Sequence, residues 1–476
     1  MYIYILLAIF IVFLIASYIM FKKDIIQPAV MFCISFVVSI ASAVVNIKNW
    51  SMELRTNTFL VILLGGIEFL IVSYLIFRYY NKKNEKKETI NSKEEFADDK
   101  GINIQKWKVI LIIIYDIIVV IALILSVLQI ASQFGEYNSF SQALTLFRKN
   151  TTYSANATLP KMLSLAKKPV FAFAYIMLYF GIYNLIYKKE PKKEKIINTL
   201  LYFMPAFFYI INTLIQSRRG AIINIVLAGT IMFLILWYKK NNYKVMLKLK
   251  TILIIVVICV IGLMLFYLSA KMIGRKTNFN MIEYITMYCG GSIDGLDLYL
   301  NDPKVKEPVF FGEETFQGFI RFLYDYNFIK LKKAPTMSLE WRYANGVMVG
   351  NVYTAYRRWI HDFGYVGMFI FQLISAVIYN VAYNKFKYYN KKRNMIFDIC
   401  LILYAYIMDT LLLISIEGIL FINTIKLSFV TQVIVLIVVY YLLVTKFSIK
   451  KIDNKPNILI NDKPIKEYLK KKSVKG

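Results

Sequence analysis

Histidine is almost missing from this chain: His361 is the only one among 476 residues. A lone histidine has no second with which to share a metal. Cysteine is nearly as scarce. Cys33, Cys259 and Cys400 fall inside apolar runs and Cys289 in a long polar loop, with no pair at metal-ligand spacing, so neither a zinc site nor a disulfide framework is indicated. There is no glycine-rich phosphate loop, dinucleotide fingerprint or zinc-protease helix, which argues against nucleotide-driven chemistry. Acidic residues are few: 29 Asp and Glu stand against 58 Lys and Arg, a formal net charge of +29. In a soluble protein that balance would suggest nucleic acid, but no basic, aromatic-interleaved soluble domain exists to carry such binding, so no nucleic acid is expected. The first apolar run, residues 1–20, lacks a basic leader and is long enough to be a span itself, so no cleavable signal peptide is expected. No repeat relates the two halves, and internal repeats are the usual mark of a transporter fold.

What is abundant is apolar sequence. Hydrophobic residues make up 58% of the chain and the mean hydropathy is +0.54, where a soluble domain seldom exceeds about half apolar. The apolar residues come in runs of about twenty, the length that crosses a bilayer. The expected fold is therefore an all-α polytopic membrane protein. About eleven spans are expected, near residues 2–21, 25–47, 57–78, 109–132, 169–187, 196–215, 220–238, 251–270, 360–384, 395–416 and 427–445. This divides the chain into N-terminal spans (1–132), a first long outer loop (133–168), central spans (169–270), a large outer loop (271–359), C-terminal spans (360–446) and a basic tail (447–476).

The loops alternate in character. Lysine fills 22–24, 79–108, 188–195, 239–250, 385–394 and the tail, and the positive-inside rule places this set in the cytoplasm. The N-terminus is then outside and the C-terminus inside. Arginine reverses the bias. Of eleven arginines only Arg78 and Arg393 fall inside; Arg55, Arg148, Arg218, Arg219, Arg275, Arg321, Arg342, Arg357 and Arg358 fall outside. Lysine serves topology, whereas a planar, always-charged fork suits phosphate and carboxylate oxygens. The outer side thus reads as built to hold an anion, or as arginines paired with outer carboxylates and headgroups.

The densest stretch is residues 340–367, which carries Arg342, Asn345, Asn351, Tyr353, Thr354, Arg357, Arg358, His361 and Asp362 into the ninth span. Arg357 and His361, like Arg358 and Asp362, are four apart and share a helix face. Asp362 can serve there as a general base or only as a salt-bridge partner. Arg218, Arg219, Arg342 and at least one of Arg357 and Arg358 are expected to converge on one outward cleft, with Asn351, Tyr353, His361 and Asp362 on its wall. Residues 281–300 are expected to hold a short helix at the membrane surface, broken at Gly290–Gly291. Glu68, Asp116, Asp398, Asp409 and Glu417 are acids within or at the ends of spans and could form a proton relay. For Asp398, near a cytoplasmic end, a plain interfacial role is the simpler expectation.

Three segments resemble the bacterial O-antigen or oligosaccharide repeat-unit polymerases of the Wzy type. They are QSRRGAIINIVLAG, YCGGSIDGLDLYL with the following PVFFGEETFQGFIRFL, and GNVYTAYRRWIHDFGYVGMFIF. The last looks like the family's Asn-x-Tyr-Thr followed by Asp-x-Gly-x-x-Gly, met here by Asn351, Tyr353, Thr354, Asp362, Gly364 and Gly367. The resemblance implies a glycosyltransferase-C-like fold with two long extracytoplasmic loops in the bacterial cytoplasmic membrane. It implies an enzyme of the outer leaflet that polymerises undecaprenyl-diphosphate-linked oligosaccharide into surface polysaccharide, without cofactor or metal. Asp362, His361, Arg218 and Arg219 would be its catalytic residues. Arg342, Asn351, Tyr353, Thr354, Arg357, Arg358, Arg275 and Asp297 would bind substrate. Its partners would be the lipid-linked oligosaccharide, membrane lipid, a flippase and a chain-length regulator. The alternatives are an O-antigen-ligase-like enzyme with the same donor, and a polysaccharide flippase or other transporter.

Overall fold

The computed structural model describes residues 1–88, 96, 101–153, 157–243, 249–273, 280–302, 307–331, 335, 338–452, 455–460 and 463–464. The first helices are α1 (Tyr2–Met20), α2 (Pro28–Val45), α3 (Ile47–Trp50), α4 (Thr56–Glu88), α5 (Lys106–Ser132) and α6 (Phe140–Arg148). The central group is α7 (Lys161–Tyr187), α8 (Lys192–Ile215), α9 (Gly220–Lys240) and α10 (Leu249–Met272). There follow α11 (Met281–Leu300), α12 (Gln317–Asp325), α13 (Ala355–Lys387), α14 (Met395–Leu412), α15 (Leu420–Thr424) and α16 (Leu427–Val444). Among the described residues, eleven helices (α1, α2, α4, α5, α7–α10, α13, α14 and α16) are long and apolar enough to cross a membrane. The chain is a multi-pass, all-α membrane protein in its architecture. Two small antiparallel sheets qualify that: β1 (Arg342–Ala344) with β2 (Val347–Gly350), and β3 (Phe447–Ile452), β4 (Lys455–Ile460) and β5 (Lys463–Pro464) in the tail.

The bundle is built around α7, of whose apolar window 89% is buried, and α10 stands at its periphery with 6%. The difference lies in composition. α10 is almost purely aliphatic, which suits lipid contact all round. α7 presents Tyr175, Tyr179 and Tyr183, all buried against neighbouring helices, and the Tyr179 hydroxyl finds its partner in Asp398 of α14. Gly181 lets α8 approach, since a Cβ there would stand 2.6 Å from the Phe203 ring. Pro169 and Pro205 lie inside α7 and α8. They are tolerated in spans because neighbours can satisfy the freed carbonyls.

One end of the bundle, the lysine-rich one, is tied by buried ion pairs. Asp24 accepts from Tyr383 (2.6 Å) and Lys387 (2.6 Å). Asp398 accepts from Tyr179 (2.6 Å), from Arg393 (2.5 Å) and from Tyr440. Asp398 is wholly buried, so the expectation of a plain interfacial carboxylate is corrected: it is a packed junction of α7, α14 and α16. Asp116 has neither oxygen bonded, and Glu68 Oε2 and Asp409 Oδ1 also lack partners. None of these three acids is bonded to another, so the described side chains give no hydrogen-bonded proton relay.

The other end carries the arginines, and serine contacts set its frame. Ser415 Oγ lies 2.7 Å from both Ser35 Oγ and Ser39 Oγ of α2. This fixes the turn after α14, where the Ala355 amide donates to Ile414 O (2.8 Å) and starts α13. α11 packs across α2 at the same level. A Cβ on Gly290 would stand 2.4 Å from Ala43 N, and one on Gly291 2.5 Å from Val349 O. The expected break at Gly290–Gly291 is therefore absent. The helix runs unbroken from Met281 to Leu300, and these glycines serve close packing.

Candidate functional site

The site residues at the arginine-bearing end are placed by three local devices. The first is the β1–β2 hairpin. Asn345 and Gly346 both have positive φ (49° and 72°) in a two-residue loop between Ala344 and Val347, the combination that a twist-matched tight hairpin turn requires. Asn-Gly between apolar residues is a sequence signal for this turn. The second device is the start of α13. The helix runs from Ala355 to Phe363, breaks at Gly364 (φ 67°, ψ −170°) and resumes toward Lys387. That backbone region is open almost only to glycine, so the turn bearing Arg357, Arg358, His361 and Asp362 is set at an angle to the span. The third is the C-terminal end of α11, which brings Tyr299 beneath that turn.

Arg357 is the hub. It is buried, with its guanidinium 4.6 Å from the Tyr299 ring centre and 5.1 Å from that of Tyr353. Its Nη2 donates to Glu340 Oε1 (3.0 Å) and Oε2 (2.8 Å), and its Nη1 pairs with Glu314. Arg342 donates to Asp302 (2.5 Å), Glu340 (3.3 Å) and the Tyr353 hydroxyl (3.3 Å). Tyr353 donates in turn to Glu340 O (2.9 Å). Burial pushes the Tyr353 and Tyr299 phenols up, so both remain hydrogen-bonding neutral groups. His361 meets the Tyr299 hydroxyl through Nδ1 (3.0 Å) and stands 3.7 Å from Glu314 through Nε2. Arg358 turns to Glu417 (3.4 Å). Arg342, Arg357, Arg358, Tyr353 and His361 are thus tied into carboxylate and tyrosine contacts at one end of the bundle.

The charge balance there matches the second of the two readings of the outer arginines, pairing with carboxylates, rather than the first, a site built to hold an anion. Three arginines face Asp302, Glu314, Glu340 and Glu417 in ion pairs, so this cluster supplies its own anions. Glu314, Glu340, Asp302 and Tyr299 were not among the expected site residues. Their signal was present, because buried arginines need counter-charges and acids are scarce in this chain. Asp362 has a further task. Its two oxygens accept from the Glu314 amide (3.2 and 3.1 Å), and Oδ2 from the Thr315 amide (2.6 Å). It anchors the 314–315 turn, and with it Glu314, onto α13.

The remaining residues are placed elsewhere. Arg219 is buried in its own niche, donating to Phe266 O (3.3 Å) and the Tyr284 hydroxyl (2.7 Å), with the Phe266 ring centre 4.4 Å away. None of these contacts is shared with Arg342 or Arg357. Arg218 is exposed in the α8–α9 turn. Its charge bears on Lys167 and Lys426. In place of one shared contact set, the expected arginines are divided among three. Asp297 accepts from the Arg55 amide (2.9 Å) and holds α11 to the start of α4. Asn351 donates to Ser338 (3.3 Å), and the Thr354 hydroxyl is buried without a partner. Arg275 lies outside the described residues.

An open cleft of about 680 Å³ lies at the opposite, lysine-rich end, lined by Tyr187, Lys188, Glu190, Lys195 and Lys240 among others. Lys188 is paired with Glu190, and Lys195 and Lys240 donate to backbone carbonyls. The Arg357 cluster concentrates more buried ionisable and aromatic groups, and such groups mark functional sites. Comparison with family models, with curated proteins and with solved structures gave no significant match.

Proposed function

We propose that this chain is a membrane-embedded glycosyltransferase that polymerises undecaprenyl-diphosphate-linked oligosaccharide units at the outer leaflet of a bacterial cytoplasmic membrane. In this reading the arginine-bearing end faces outward, the C-terminus is cytoplasmic and the bundle is glycosyltransferase-C-like. One observation carries it: the second and third polymerase-like segments lie against one another although far apart in sequence, and the first is bonded to the helix that holds the second. Arg219 of the first donates to Tyr284, at the start of the α11 helix that holds the second. Tyr299 of the second meets Arg357 and His361 of the third.

The chemistry follows from those side chains. Aromatic faces and a lattice of arginines and carboxylates suit sugar rings and hydroxyls. His361, next to Tyr299 and Glu314, is the candidate base. It takes the proton of the acceptor hydroxyl as the new carbon–oxygen bond forms and the sugar–phosphate bond breaks, its electron pair leaving with the diphosphate. Asp362 is a positioning residue, since its oxygens are committed to the 314–315 amides. The test is deletion of the gene, sizing of the surface polysaccharide, and complementation with His361→Gln. Retention of single repeat units with loss of long chains, unrescued by the variant at normal protein level, is expected. Loss of single units as well would identify a flippase instead.

A further inference from the structure

Four cations gather at the arginine-bearing end without a carboxylate among them. Lys167 and Lys168 lie in the second turn of α7, Arg218 in the α8–α9 turn, and Lys426 at the cap of α16. Lys167 Nζ donates to Gln216 Oε1 (2.6 Å), which draws α7 to the turn that carries Arg218. Lys168 Nζ is bonded to the Thr431 hydroxyl, which draws α7 to α16, and Lys426 Nζ donates to Asn423 Oδ1 (3.2 Å). Each lysine is half-buried and holds only a neutral acceptor, and exposed Arg218 forms no ion pair among the described residues. Asp409 lies below, among Tyr209 and Tyr406, and is bonded to none of the four. This is the reverse of the Arg357 cluster, where every arginine meets a carboxylate.

We infer that Lys167, Lys168, Arg218 and Lys426 form a binding site for the phosphate groups of a membrane lipid, separate from the Arg357 cluster. Like charges held together by a fold repel, and their repulsion is relieved when an anion sits between them. Burial together with Arg218 brings the Lys426 ammonium down to about 8, the strain that a bound phosphate would remove. Lysine at this end also runs against the bias that concentrates it at the other. Arg218 and Lys426 sit at helix ends and Lys167 and Lys168 within the first turns of α7, the level at which a span meets a headgroup, which favours a lipid phosphate over a free one. An arginine fork with surrounding ammonium groups suits a phosphate or diphosphate. The identification of the lipid as a polyprenyl diphosphate rests on the polymerase reading; the site itself does not.

The test uses the purified full chain in detergent, with farnesyl diphosphate and inorganic pyrophosphate titrated by calorimetry. The wild type should bind farnesyl diphosphate more tightly than pyrophosphate. Arg218→Gln and Lys426→Gln should each weaken it at least tenfold, and Lys426→Arg should bind as the wild type does, showing that the fold tolerates the position. Unchanged affinity in both glutamine variants would overturn the site, as would a wild type that binds neither probe. Equal affinity for the two probes would overturn the lipid assignment in favour of a free anion. Binding is read without turnover, so the two readings separate. A variant that no longer binds yet restores full-length polysaccharide in a deletion strain shows that the anion site is not the polymerase's donor site, whereas a deletion strain that keeps full-length polysaccharide removes the polymerase reading and leaves the anion site standing.

Discussion

Arg357 lies between two tyrosine rings with Glu314 and Glu340 on its guanidinium, whereas Arg218 stands exposed beside Lys167 and Lys426 with no carboxylate on it. Both are arginines at helix ends on the same side of the bundle. The difference teaches what each contributes. An arginine neutralised within the chain is part of the fold, because removing it takes the counter-charge from its carboxylates. An uncompensated, exposed one adds little to the fold and keeps its charge for a ligand. Stability and ligand affinity should therefore come apart along this division.

The largest effect is expected at Arg357. Arg357→Ala takes the arginine from half-buried Glu314 and leaves exposed Glu340 with Arg342 alone; breaking a fully buried pair costs about 3–5 kcal/mol, and this partly exposed one costs less. The thermal unfolding midpoint in detergent should fall sharply, and Arg357→Lys should fall less. A midpoint unchanged by the alanine would show that the carboxylates find water or other partners, and the contrast with Arg218 would be lost.

Next are two glycines that hold the frame. A side chain at Gly290 would meet the α2 backbone at 2.4 Å, which side-chain rotation cannot relieve, and overpacking of this kind costs about 1–3 kcal/mol. Gly364→Ala forces a residue with a Cβ into the glycine-only region, at about 1–3 kcal/mol. Gly290→Val should lower the unfolding midpoint by loosening α11 from α2. On the polymerase reading, Gly364→Ala should also disturb the Arg357 turn, read as loss of polymer at retained protein level. Wild-type midpoints for both variants would mean that these contacts give way without strain.

The spans were legible because their signal is local. A run such as residues 251–270 can only be read one way, and the eleven expected spans correspond to the eleven long apolar helices. Boundaries moved where polar residues extend a helix: α13 begins at Ala355 rather than 360, and α7 at Lys161 rather than 169. The site was legible only in part. The spacing of Arg357, His361 and Asp362 on one helical turn is a local fact. Their partners Glu314, Glu340 and Tyr299 come from other segments, and long-range pairing leaves no periodic trace. Gly290–Gly291 shows the limit most directly, since the same dipeptide breaks one helix and packs another closely.

A smaller, pH-dependent effect is expected at Asp294 of α11. Burial pushes its carboxyl up to about 7, and neighbouring Asp297 acts in the same direction. The folded value lies above the unfolded one, so the folded chain holds the proton more tightly. That contribution is complete below about pH 4 and is lost as pH rises through about 7. Asp294→Asn keeps a neutral side chain at every pH. The midpoint of the variant should therefore gain on the wild type between about pH 4 and 7 and hold that gain above, by on the order of a few kcal/mol in stability. A gain in the opposite direction would place a charged Asp294 in the folded chain, held by Arg55.

The smallest effect on stability is expected at Arg218, and it sharpens the comparison most. The side chain is exposed and forms no ion pair among the described residues, and surface substitutions away from special features stay within about 0.5 kcal/mol. Arg218→Ala should unfold at the wild-type temperature, or slightly above it, since one of several like charges is removed. The same variant should lose affinity for farnesyl diphosphate, and on the polymerase reading its chains should be short at normal protein level. Arg218→Lys separates charge from shape. The lysine keeps the positive charge and discards the planar fork, so intermediate affinity assigns part of the binding to paired hydrogen bonds. Full affinity in the lysine variant would make the cluster a field of plain charge. A large fall in unfolding temperature for Arg218→Ala would mean that this arginine is part of the fold after all, as Arg357 is.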